Sequence, residues 1–189
     1  VEFGAGKGSL ARAVLDTPRG EAPDAFGALR YVLVERSGAM RVHIREALAV
    51  HADRVEVLDS AGAAGLSDAT LVVSNEFVHA LPVHVARVLG DGQLEELFVT
   101  ADSEGRFSSC WDRPSSGRIA EYARRFVPGI ESGHEFSFEA AIEAWDWVEG
   151  ITNEHRSCGV LTFDYGDAAD RVAGPRRPRG TLRAMRARR

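Results

Sequence analysis

The sequence predicts a doubly wound α/β fold, a mostly parallel sheet with helices on both faces, and three observations carry that expectation. A continuous apolar, β-rich run at residues 31–34 and further β-rich runs at 55–58, 71–73 and 159–163 fit the pattern of buried parallel strands. Segments of helical periodicity lie between the earlier runs, as crossovers between parallel strands require. Each run also ends in an acidic, amide or glycine residue. Open α/β sheets bind their ligands at those carboxyl ends.

The chain opens on the end of a strand, Val1-Glu2-Phe3, running into the glycine loop Gly4-Ala5-Gly6-Lys7-Gly8. A helix is expected from Ser9 to Leu15, then a loop from Asp16 to Gly27 that is rich in Pro, Gly and Asp. Tyr31-Val32-Leu33-Val34 reads as the second strand and ends at Glu35, after which Ser37 is placed as the N-cap of a helix through Met40, Ile44 and Leu48. Val55 to Leu58 is the third strand, ending at Asp59-Ser60. Leu71-Val72-Val73 is the fourth, running into Ser74-Asn75-Glu76-Phe77-Val78-His79-Ala80-Leu81-Pro82. From Val83 to Ser109 the pattern changes to antiparallel strands joined by tight turns, at Val85–Leu89, Leu94–Thr100 and around Phe107. That insertion is expected over the carboxyl edge of the sheet. Helices are expected at Ile119–Phe126 and Phe138–Glu149, the latter carrying Trp145 and Trp147 as packing residues. Gly159 to Gly166 holds the fifth strand, with Asp164 at its end.

The composition bounds the function. The chain has 189 residues, of which 44% are hydrophobic and 27% charged, the balance of a soluble globular protein with one substantial core. The reading is one domain in three stretches: 1–83 as the cofactor-binding half, 84–137 as the insertion, and 138–189 as the rest of the core with a basic tail. A net charge of -5 gives no general attraction to nucleic acid or to an anionic membrane. The arginines from Arg176 onward form a basic tail without aromatic interleaving, which reads as a solvated segment. No apolar run approaches the roughly 20 residues that cross a bilayer. Two distant cysteines, Cys110 and Cys158, make neither a disulfide framework nor a metal cluster, so a reducing compartment is expected, and scarce lysine beside abundant arginine, alanine and glycine suggests a GC-rich bacterial genome, hence a bacterial cytoplasm. Val1 already lies inside a central strand and no initiator methionine precedes it, so truncation at both ends is expected.

The glycine loop carries the first chemical inference. Glycines at alternate positions let the backbone turn with φ > 0 and approach a ligand closely, while the following helix points its free N–H groups at it. A P-loop needs Ser or Thr directly after Gly-Lys, and Gly8 separates Lys7 from Ser9. The dinucleotide fingerprint wants glycine or alanine where Ser9 stands, so that reading is strained. The pattern acid-x-Gly-x-Gly-x-Gly, beginning at Glu2, fits S-adenosylmethionine (SAM) better. A turn with no ligand stays open on the loop alone.

Taken together, Val1 to Leu10, Glu35 with Ser37, Asn75-Glu76 with Ala80-Leu81-Pro82-Val83, Asp164-Tyr165-Gly166 and Gly180-Thr181-Leu182-Arg183 resemble the MidA-type class I SAM-dependent methyltransferases. That group includes the mitochondrial complex I assembly factor that methylates a protein arginine. The resemblance covers nearly the whole chain in order. It implies the Rossmann-like fold of class I methyltransferases, SAM as cofactor, no metal, and a protein substrate, by analogy a respiratory-complex subunit. Family members also carry further segments on both sides of the region matched.

The resemblance assigns roles residue by residue. Gly4, Ala5, Gly6 and Gly8 would hold the methionine part of SAM, with Glu2 near its ammonium or ordering the loop. Glu35 would accept from both ribose hydroxyls, a task suited to two acceptor oxygens, with Ser37 beside it. Asp59 and Ser60 would lie near the adenine, and Asn75 would shape the cofactor edge. Glu76 would hold an arginine guanidinium through a bidentate pair. Other readings remain open: a solvated acid at Glu35, a plain turn at Asp59, and an acid capping a helix that starts near Phe77 for Glu76. His79 departs from the family pattern, which has an aspartate there. A histidine can accept a proton near neutral pH but supplies no permanent negative charge. A partly buried histidine without a chemical role is an equal reading, and the competing functions are a non-catalytic SAM-binding or assembly module and an NAD(P)-binding oxidoreductase.

Overall fold

The structure, a computed structural model, describes residues 1–17, 23–60, 70–154 and 158–183. Its secondary elements divide between two compact units, residues 1–80 with 150–165, and 81–149 with 166–189. The last residues of the basic tail, 184–189, lie outside the described residues.

The first unit is built on a five-stranded, wholly parallel sheet. β1 (Glu2–Phe3), β2 (Tyr31–Val34), β3 (Val55–Leu58), β4 (Leu71–Asn75) and the last strand of the chain, Gly159–Phe163, lie in the order β3, β2, β1, β4, Gly159–Phe163. The order reverses direction at β1, the switch point that defines a doubly wound sheet and opens a ligand crevice between β1 and β4. The register aligns the strand ends, with Phe3 beside Val34 and Ser74, Val34 beside Leu58, and Ser74 beside Thr162. As a result the loop after every strand leaves from one edge.

Helix α1 (Ser9–Asp16) follows the glycine loop, the short helix α2 (Pro23–Ala28) precedes β2, and α3 (Gly38–Ala47) follows it. Ala11 and Leu15 of α1 and Ile44 of α3 pack with Leu48, Tyr31 and Leu33 into one core. Ser37 caps α3 as expected, its Oγ accepting from the Met40 N–H at 3.3 Å. Helix α2 was expected as loop. Its proline stands at the first helical position, where the missing N–H costs nothing and the fixed φ suits a helix.

The second unit contains a four-stranded antiparallel sheet of β5 (His84–Val88), β6 (Leu94–Ala101), β7 (Phe107–Asp112) and β8 (Phe136–Ala140), ordered β7, β6, β5, β8. The antiparallel insertion after the fourth strand is therefore present. It recruits β8, whose residues from Phe138 onward are expected from the sequence as the start of a helix. Phe136, Phe138 and Ala140 alternate with Ser137 and Glu139, a period of two that buries one face, and the next helix, α5 (Ile142–Glu154), begins only after it. Helix α4 (Gly117–Phe126) lays Ile119 and Ala123 against Ala86, Val88, Phe136 and Phe138. On β8, Glu139 accepts from the Thr181 N–H at 2.7 Å, the Leu182 N–H at 2.8 Å and the Thr181 hydroxyl at 3.0 Å. Gly180 has a φ of +66°, which favours glycine, and a Cβ there would displace the Glu139 carboxylate from these donors. We number the strand Gly159–Phe163 β9 and the short helix Ala169–Val172 α6. Among the described residues no helix is long and apolar enough to cross a membrane.

The buried face of β8 yields a stability prediction. Phe138 is fully buried whereas Phe107 is 80% exposed, so Phe138→Ala lowers the unfolding free energy by about 3–5 kcal/mol. Phe107→Ala changes it by less than about 0.5 kcal/mol. Urea denaturation followed by circular dichroism measures both.

Candidate functional site

The parallel sheet brings five polar strand ends to one edge. The glycine loop leaves β1 with φ of +68° at Gly4, +54° at Gly6 and +74° at Gly8, a run of left-handed residues that other side chains adopt only at a cost. The Gly4 N–H donates to Val34 O at 3.0 Å, which pins the loop to the end of β2. A Cβ on Gly4 would stand 2.7 Å from Cδ2 of Phe77, so this glycine is required by packing as well as by conformation. Gly6 differs, because a Cβ there would meet nothing nearer than Gly4 O at 4.0 Å. Its outer side is an open cradle.

Glu35, at the end of β2, braces that cradle. Its Oε2 accepts from the Gly6 N–H at 3.3 Å and its Oε1 from the Ser37 N–H at 2.8 Å. Arg41 donates to the main-chain oxygens of Glu35 and Arg36 at 2.9 and 2.8 Å, which fixes the turn between β2 and α3. The carboxylate is half-buried and keeps further lone-pair directions for a ligand. Helix α1 begins behind the loop with Gly8 at its N-cap and no side chain capping it, leaving first-turn N–H groups without intrahelical partners. Glu2 lies lower. It is buried at 4% exposure and its Oε2 accepts from the Tyr31 hydroxyl at 2.9 Å. Burial raises its pKa above the ordinary glutamate value, against the opposing effect of the Tyr31 hydrogen bond.

The end of β4 is equally constrained. Asn75 and Glu76 are exposed, and Glu76 is the non-glycine residue with positive φ among the described residues, at +51°. That conformation costs of order 1–3 kcal/mol and has to be held by its surroundings. Here the Glu76 N–H donates to Phe163 O at 2.8 Å, and the next residue, Phe77, packs against Phe3 with ring centroids 5.8 Å apart. The strained turn thus aims Glu76 outward while driving Phe77 beneath the glycine loop.

No α-helix starts at Phe77; the chain makes a single 3₁₀ turn, Val78–Ala80. The acid that caps this turn is Asp164, at the end of β9, whose Oδ2 accepts from the Val78 N–H at 2.9 Å. This corrects the reading of Glu76 as the capping acid. Asp164 Oδ1 lies 2.7 Å from His79 Nδ1 and accepts from the Tyr165 N–H at 2.9 Å, and the Tyr165 ring packs on His79 in a tilted arrangement with centroids 4.5 Å apart. Burial pushes the Asp164 carboxyl up, but the hydrogen bonds from His79 and the Tyr165 and Val78 N–H groups outweigh it and hold the pKa below the ordinary aspartate value. Sequence reasoning found Asp164 as a strand end and left His79 without a partner; a separation of 85 residues hides such a pair.

Asp59 and Ser60 stand exposed at the end of β3, and residues 61–69, which follow them, lie outside the described residues. The structure therefore joins Gly6, Glu35 and Ser37 directly, links Gly4 to the β4 turn through Phe77, and joins His79 to Asp164.

A glycine loop at the switch point of a parallel sheet, braced by the acid that ends the next strand, defines a cofactor-binding α/β unit of the kind that holds nucleotide-like ligands. The sequence profile of a family described as "putative S-adenosyl-L-methionine-dependent methyltransferase" matches residues 1–189, and the chain belongs to that family. Among solved structures it is similar to a COG1565 superfamily member from Burkholderia thailandensis bound to S-adenosyl-homocysteine, at 25% identity and a TM-score of 0.66, over 95% of this chain and 45% of that one. A native crystal structure of a COG1565 superfamily protein from the same organism is 26% identical, with a TM-score of 0.66 and coverage of 95% and 46%. The chain spans about half the length of these proteins. No curated protein matches it.

The depressed pKa of Asp164 implies an acid-sensitive turn. Its folded pKa lies below the unfolded value of about 3.9, so its stabilisation is complete above the unfolded pKa and is lost as pH falls through the folded pKa. Asp164→Asn is therefore expected to narrow the stability difference between pH 7 and pH 3, measured by urea denaturation at both.

Proposed function

We propose that the chain is the SAM-binding part of a MidA-type methyltransferase that methylates a protein side chain, with arginine as the acceptor. The observation that carries this reading is the Glu35 brace on Gly6, which leaves an open backbone cradle at the switch point of the sheet. In this reading Gly4, Ala5, Gly6 and Gly8 hold the methionine part of SAM and Glu35 takes the ribose hydroxyls, with Ser37 next to it. Asn75 borders the cofactor, and Asp59 and Ser60 serve the adenine. Glu2, paired with Tyr31, acts from beneath by ordering the loop.

When bound, SAM supplies an electrophilic methyl on a sulfonium, and no metal is needed for its displacement. The protein's share of the work is alignment and exclusion of water. Glu76, exposed at the end of β4, holds the guanidinium cation by a charge-assisted pair. Asp164 supports His79 next to it. The substrate in this reading is a protein, a respiratory-complex subunit by family resemblance, and the compartment is the bacterial cytoplasm; nucleic acid has no part in it.

Three measurements decide between this and its competitors. Calorimetric titration with SAM and with NADH should give binding of SAM alone, and NADH binding without SAM contradicts the proposal in favour of an oxidoreductase. Glu35→Ala should weaken SAM binding about 10–100-fold, the loss expected of about 1.5–3 kcal/mol from hydrogen bonds to a charged group. SAM binding without transfer of labelled methyl to any protein would leave the non-catalytic binding module as the better description.

A further inference from the structure

We propose that Asp164 is a positioning residue that fixes the neutral His79 ring with its proton on Nδ1, leaving Nε2 to accept the proton released by the methyl acceptor. The inference rests on the methyltransferase reading and adds the proton's destination. Three donors converge on the Asp164 carboxylate: the Val78 N–H on Oδ2 at 2.9 Å, the Tyr165 N–H on Oδ1 at 2.9 Å, and His79 Nδ1 on Oδ1 at 2.7 Å. A carboxylate held ionised by two main-chain donors offers acceptors only. The ring atom facing it must therefore carry hydrogen, and the lone pair of the neutral ring is forced to Nε2. Among the described residues Nε2 has no hydrogen-bond partner, and the side chain is 33% exposed.

The arrangement restores what His79 alone lacks. The turn after β4 sets a neutral base in front of an aspartate from another strand. The negative charge is supplied by β9 rather than by the turn after β4. The Tyr165 ring lies beside the imidazole, with ring centroids 4.5 Å apart. The titratable groups in contact with His79 are thus Asp164 and Tyr165 from the β9 side, while Glu76 precedes it on its own segment.

The proton count closes. The acceptor nitrogen forms the new bond to the methyl carbon, the electron pair of the broken C–S bond stays on sulfur, and the acceptor's N–H proton passes to Nε2. The imidazolium so formed is paired with Asp164 until it returns the proton to water. The acceptor is accordingly a nitrogen that carries hydrogen, as a guanidinium does. An acceptor without a proton to lose has no use for the pair.

The test uses the ¹⁵N-labelled full chain and the variants Asp164→Asn and His79→Asn. Long-range ¹H–¹⁵N spectra of the histidine rings, with His79 assigned by its loss in His79→Asn, are expected to show Nδ1 protonated and Nε2 unprotonated in the neutral ring. Asp164→Asn is expected to mix or reverse the two forms. Neutral His79 protonated on Nε2 in the wild-type chain overturns the proposal, whatever the activity. In parallel, transfer of tritiated methyl from SAM to protein in a bacterial lysate is expected to fall about 100-fold or more in both variants, with SAM affinity by calorimetry changed less than about threefold. A wild-type chain that binds no SAM sinks the methyltransferase reading, whereas undiminished transfer by Asp164→Asn removes only the role of the pair.

Discussion

The site depends on a central strand of two residues. Glu2 and Phe3 are hydrogen-bonded in register to β2 on one side and β4 on the other, so β1 cannot slide without breaking two ladders at once. That double pairing delivers Gly4 to the end of Val34 and sets the glycine loop between Glu35 and Asn75. A shift of one residue would turn Glu2 out of its pairing with Tyr31 and Phe3 away from Phe77, since successive strand residues face opposite sides. The buried Glu2–Tyr31 hydrogen bond beneath the loop and the Phe3–Phe77 contact on the other face hold β1 from both sides.

From that anchor the polar groups are arranged by mutual dependence. Glu35 acts through its own main-chain neighbourhood, joining the loop after β1 to the cap of α3, so the glycine cradle and the α3 helix form one hydrogen-bonded piece. The turn after β4 is kept in its unfavourable conformation by the hydrogen bond to Phe163 and by Phe77 beneath Gly4. Strain stored at an exposed acid beside a crevice marks a place where side-chain direction matters more than local comfort. Asp164 then caps the same turn and orients His79, which makes the end of β9 a structural partner of the β4 segment.

The legible parts of the sequence were those governed by local rules. Tyr31–Val34 is an unbroken apolar run, Val55–Leu58 is apolar except for Glu56, Ser37 is a hydroxyl in front of a helical stripe, and the glycine spacing states its own backbone requirement. The misread parts were those in which a local signal pointed elsewhere or in which distance decided. Pro23 and its neighbours look like loop because proline and glycine usually break structure, yet proline is welcome in the first turn of α2. Phe136 to Ala140 alternates like a strand but runs into the helical stretch with Trp145, and only pairing with β5 decides where the strand ends. The Asp164–His79 pair and the burial of Glu2 under Tyr31 both join residues far apart in sequence, and no periodicity carries that information.

The central claim is that the edge formed by the ends of β1, β2 and β4 holds the cofactor. It is tested most directly by titrating the ¹⁵N-labelled chain with S-adenosyl-homocysteine and following the backbone amides. The account predicts saturable shifts concentrated at Gly4 to Gly8, Glu35 to Ser37 and Asn75 to Phe77, with the amides of β5 to β8 little changed. Shifts confined to the antiparallel sheet, or no saturable shift at the glycine loop, would contradict it.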